Sequence, residues 1–82
     1  MWEVIRLGLK TIKDLEAIIN KAIATKQPLG LFIEMPDFEE PEMIINPLVN
    51  LEKKLDYYKK TYDENLEHKY AKGIKIIGYT FM

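Results

Sequence analysis

"EEPEMIINPLVNL", residues 39–51, decides the fold. Met43, Ile44 and Ile45 lie between Pro41 and Pro47, with an acidic stretch before them and an amphipathic stretch after. As a short third strand they make the order β-α-β-β-α-β. As loop they leave β-α-β-α-β. Proline cannot donate to a sheet ladder, so Pro36 and Pro41 bound a turn rather than a central strand. A twelve-residue connection without structure is unusual in a small domain. The reading is therefore an α+β, two-layer βαββαβ ferredoxin-like sandwich, with a hairpin turn over 36–41 and two helices on one face of an antiparallel sheet. The alternative is a three-stranded βαβαβ unit with a long acidic loop.

Working outward, "LGLFIEM" (29–35) alternates Leu29, Leu31, Ile33 and Met35 with Gly30, Phe32 and Glu34 and reads as a strand. Before it, Ile12, Leu15, Ile19, Ala22 and Ile23 fall on one helical stripe. Thr11 with Asp14 three residues on offers a capping box, and Gln27-Pro28 closes this helix. Residues 2–9, "WEVIRLGL", read as the first strand. After the deciding stretch, Asn46-Pro47 reads as a helix start, with Asn46 as N-cap. Leu48, Leu51, Leu55, Tyr58, Tyr62 and Leu66 continue a helical stripe, so a second helix is predicted over about 47–72 with Gly73 as its left-handed cap. "IKIIGYTF" (74–81) reads as the last strand, apolar on both parities.

The chain has 82 residues, one domain's length, so residues 1–82 are read as a single domain. Twelve basic and thirteen acidic residues give a net charge of −1, so no global field attracts nucleic acid or an anionic membrane. No cysteine is available for a disulfide. "MWEVIRLGLK" lacks the pattern of a secretory signal, and no apolar run approaches the roughly 20 residues of a membrane span, so a cytoplasmic location is expected. Serine is absent, glutamine occurs once, at Gln27, and isoleucine, lysine and glutamate are abundant. In this texture the chain resembles the short domain-of-unknown-function families of hyperthermophilic archaea, where charged residues replace uncharged polar ones. The resemblance implies a thermophile source and no particular activity.

Chemistry-bearing residues are few. Glu34, Asp37, Glu39, Glu40 and Glu42 crowd ten positions, but the spacing does not match a calcium loop and no glycine provides its sharp bend. They read as a solvated turn. His68 is the one histidine; with Glu64 four residues earlier it reads as an exposed ion pair, since a transition-metal site needs clustered ligands. Arg6 is the one arginine, a cross-sheet partner for Glu34 or a candidate anion ligand. Without serine, cysteine or a glycine-rich phosphate loop, no catalytic residue, metal ligand set or cofactor is expected. "GYTF" (78–81) resembles part of the RNA-recognition-motif signature, whose alternating aromatics stack on bases. Here it falls on the last strand, whereas the signature belongs on the third.

Two functions follow from these residues. The first is a non-catalytic domain acting as a homo-oligomer or protein-interaction module. Its expected contacts are Trp2, Phe32, Tyr57, Tyr79 and Phe81. Two single-striped helices cover one sheet face, and large apolar groups remain for the other. The second is an RNA- or anion-binding protein using the open sheet face around Arg6.

Overall fold

The computed structural model describes residues 8–82. Along the chain lie α1 (Ile12–Thr25), β1 (Leu29–Glu34), β2 (Glu42–Asn46), a 3-10 turn (Leu48–Asn50), α2 (Leu51–Thr61) and β3 (Lys75–Phe81). The strand expected over 2–9 falls outside the described residues, apart from Gly8 and Leu9. These two are not in a strand, and Leu9 is buried in the core.

α1 starts on the capping box. Thr11 Oγ1 accepts from the Asp14 N–H at 3.2 Å, and Asp14 Oδ2 accepts in return from the Thr11 N–H at 3.0 Å. The same carboxylate oxygen accepts the Lys10 N–H at 3.0 Å. These backbone donors, Lys10 first and Thr11 second, hold the Asp14 carboxyl below its ordinary range. The helix ends at Lys26, which takes the left-handed conformation at φ 56 just before Gln27-Pro28.

The sheet has the order β2-β1-β3, with both pairings antiparallel. Glu42–Asn46 is thus a strand, and residues 35–41 are the hairpin connection. The three-stranded alternative with parallel crossovers is overturned. The architecture is α+β, but the strand order departs from the ferredoxin-like plan. That plan sets the second strand of βαββαβ at a sheet edge. Here the corresponding strand, β1, is central, with β2 on one side and β3 on the other. Leu29 to Ile33 are all buried, as suits an apolar strand flanked on both sides by other strands.

Register assigns the faces. Leu29, Leu31 and Ile33 lie opposite Asn46, Ile44 and Glu42 on β2, and opposite Phe81, Tyr79 and Ile76 on β3. This face receives the helices, and one core joins Leu15, Ile19 and Ala22 of α1 to Leu51 and Tyr58 of α2 and to Ile76. On β3 the pairing shifts between Phe32 and Ile33, so Ile77 has no partner on β1. The extra residue is a β-bulge. It moves Ile76 onto the same face as Tyr79 and Phe81, against strict alternation. The apolar excess on both parities of 74–81 is therefore one core-facing set, interrupted at Ile77-Gly78.

α2 is shorter than its periodicity. Pro47 is extended, with φ −61 and ψ 148, and Asn46 is a strand residue rather than an N-cap. At the other end Tyr62 leaves the helix, with φ −113 and ψ 145. Asp63 provides the competing interaction, since its Oδ1 accepts from the Asn65 N–H at 2.8 Å and the Glu67 N–H at 3.0 Å. Such short side-chain bonds favour turns over helix. Leu66 then takes φ 66, and its side chain is fully buried. Tyr62 and Leu66 both reach the core as their spacing requires, but from a folded loop. Gly73, at φ 89, belongs to the turn before β3 and lies against Pro36; it caps no helix.

Candidate functional site

The face of the sheet away from the helices is built from the other parity of β1. Gly30 lies opposite Ile45 and Thr80, Phe32 opposite Met43 and Gly78, and Glu34 opposite Lys75. A side chain at Gly30 would meet Thr80 Cγ2 at 3.1 Å, Met43 Sδ at 3.2 Å and Met82 Sδ at 3.3 Å, so those three side chains close over the glycine. Phe32 faces the bare backbone of Gly78 and is 3% exposed. At the margin of this face Met43, Ile45 and Met82 are 41%, 52% and 50% exposed. β2 ends the sheet: among the described residues no strand pairs with its outer edge.

The residues singled out by sequence do not come together here. Trp2 and Arg6 lie outside the described residues. Phe32 is on the open face but buried. Tyr79 and Phe81 are half-buried on the helix side, their rings 5.5 Å apart, with Lys21 Nζ 5.5 Å above the Phe81 ring. Tyr57 is exposed on α2, with Lys54 Nζ 5.0 Å from its ring and the Tyr58 ring edge-on at 5.2 Å. Asp37, Glu39, Glu40 and Glu42 are all exposed. Among the described residues no group of three or more acidic or histidine side chains is placed to hold a metal ion.

His68 is not paired with Glu64 as expected, because residues 62–72 are not helical. Its Nδ1 accepts the Tyr70 N–H at 3.1 Å, which puts the proton of the neutral ring on Nε2. The ring stands edge-on to Tyr62 at 5.1 Å and to Tyr70 at 6.1 Å. The Glu64 carbonyl instead accepts the Ile12 N–H at 3.0 Å and ties the loop to the start of α1.

Between that loop and the two helices lies an open cleft of about 590 Å³. Its charged lining balances, with Lys13, Lys59 and Lys69 against Glu16, Asp63 and Glu64. Lys59 and Glu16 are paired at 2.8 Å, and Asp63 is held by the backbone bonds described above. Tyr62 lines the cleft. Burial first, then the neighbouring Tyr57 and Tyr58, push its hydroxyl up to about 12, so it stays neutral at physiological pH.

The polar centre that sequence missed is Asn46, which is fully buried. Its Nδ2 donates to the Leu29 carbonyl at 3.3 Å and the Ile44 carbonyl at 3.4 Å. Its Oδ1 accepts the Tyr58 hydroxyl at 3.0 Å. The network locks the end of β2 to β1 and to α2. Asn46 before proline carries the signal of a cap, and only a neighbouring tyrosine on the core stripe hints at the other use.

These features define a small α+β domain with a covered helix face, a partly exposed sheet face and an edge strand, β2, to which no further strand pairs among the described residues. No family model, curated protein or solved structure matches the chain. Among the described residues no helix is long and apolar enough to cross a membrane.

Proposed function

We propose that this chain is a non-catalytic cytoplasmic module that works by binding protein, foremost a second copy of itself. The observation that carries the reading is the exposed apolar set Met43, Ile45 and Met82 at the margin of the sheet. Single exposed apolar residues are ordinary, whereas a cluster on a sheet marks contact with another chain. The balanced charge of the cleft, where Lys59 is held by Glu16, argues in the same direction. The competing reading, RNA or anion binding, needs exposed rings on the open face. Tyr79 and Phe81 are on the helix side and Phe32 is buried, so among the described strands no exposed ring is left on the open face.

Light scattering across a concentration series tests the reading. A mass of twice 9.7 kDa or more at high micromolar concentration is expected. A monomer throughout would refute it. Salt-dependent retention on an RNA column would instead favour the competing reading.

A further inference from the structure

We infer that the second copy binds along the outer edge of β2, as an antiparallel strand related by a two-fold axis through Ile44, so that two three-stranded sheets become one of six. This rests on the self-association proposed above and gives it a surface and a register.

The edge has what strand addition needs. Its outer backbone groups have no strand partner among the described residues, and unpaired edge groups are a template for another strand. Natural edges are guarded by lysine, by inward charge or by proline within the strand. Glu42–Asn46 contains no lysine and no proline, and its one charge on the helix-facing side, Glu42, is exposed at the first position of the strand; Pro41 and Pro47 bracket it and limit the pairing to its five residues. The sequence suits self-pairing. With Ile44 opposite its own copy, Met43 meets Ile45 of the other chain, and Glu42 meets Asn46. No carboxylate faces a carboxylate across the axis, and the two exposed apolar residues of the strand cover each other as cross-strand neighbours.

The helix layer supports the same partner. Tyr58 joins α2 to Asn46 at the end of β2, while Lys59 on the adjoining flank meets Glu16 of α1. Tyr57 lies about 160° around the helix from Lys59. It therefore faces away from α1, on the side of the free edge, where its ring is 47% exposed with Lys54 against it. Two edges joined across the axis bring the two α2 flanks together, and Tyr57 and Val49 lie beside the seam. Four partly exposed residues offer less than the roughly 800 Å² per partner of a standard interface, so the pairing is reversible and concentration-dependent.

Because Met43 and Ile45 are exposed, they can be changed without opening the core. Sedimentation equilibrium of wild type, Met43→Lys and the double variant Met43→Lys/Ile45→Glu tests the register, with circular dichroism confirming the fold of each. In the proposed pairing the single change sets a charge against Ile45 twice per dimer, and the double change sets opposite charges together twice. The dissociation constant should rise about tenfold in the single variant and return to within about threefold of wild type in the double. A wild-type dimer that Met43→Lys leaves intact, or that the double variant weakens further, would overturn the edge pairing while leaving self-association standing. A wild-type monomer would overturn both.

Discussion

Removing the Tyr58 hydroxyl tests whether the buried Asn46 network organises this fold. In Tyr58→Phe, Asn46 Oδ1 loses the bond it accepts at 3.0 Å, in a site where the asparagine has no exposure and the tyrosine 2%. A buried acceptor left unsatisfied costs about 1–3 kcal/mol. Asn46→Leu strands the tyrosine hydroxyl instead and also removes the Nδ2 bonds to the Leu29 and Ile44 carbonyls. Its cost should be larger, about 2–4 kcal/mol, from the same desolvation penalties and a changed side-chain shape. The double variant removes both polar partners, so the tyrosine–asparagine penalty is not incurred twice. Urea titration of all four proteins gives the cycle. The double variant should be less destabilised than the sum of the singles by about 1 kcal/mol or more. In thermal melts each kcal/mol is about 4–8 °C for a domain of this size. Additive costs within about 0.5 kcal/mol would show that the two side chains act independently and would refute the reasoning.

Three further outcomes follow from the loop and the buried tyrosines. Leu66→Ala should destabilise by about 2–5 kcal/mol through lost core packing, and Leu66→Gly should be no worse, since glycine relieves the left-handed backbone at φ 66; urea midpoints that put glycine well below alanine would contradict this. Gly73→Ala should cost about 1–3 kcal/mol in the same assay, because φ is 89 and the new methyl would lie 3.1 Å from Pro36 Cβ; an unchanged midpoint would show that the turn relaxes freely. Burial raises Tyr62 to about 12 and also raises Tyr58, so the folded chain holds these protons after the unfolded chain has released them. Their stabilising effect is full below the ordinary tyrosine value of about 10 and is lost as pH rises from there through the folded value. Phenolate absorbance should therefore show a late alkaline step that Tyr62→Phe removes, and denaturant midpoints should fall over the same range.

What the sequence determined by itself was local. The Thr11–Asp14 capping box, the stop at Gln27-Pro28 and the strand character of 29–34 depend on neighbours within a few positions, and each formed as its residues require. The hairpin between two prolines was legible for the same reason. Tertiary structure decided the rest. Of the stripe Leu48, Leu51, Leu55, Tyr58, Tyr62 and Leu66, four residues are in the core and Leu48 and Leu55 are partly buried against it, but Asp63 ends the helix, and the loop then carries Leu66 inward. Periodicity reports which side chains are buried without reporting the backbone that delivers them. That Ile76 joins Tyr79 and Phe81 on the helix face became visible only from the register with β1, and so did the move of Tyr79 and Phe81 away from any open surface. Asn46 shows the limit most plainly. Beside Pro47 it reads as a cap, because that use needs only local backbone. Its actual partners are Leu29, seventeen residues away, and Tyr58, twelve away, and a contact of that range is fixed by how the sheet and α2 pack.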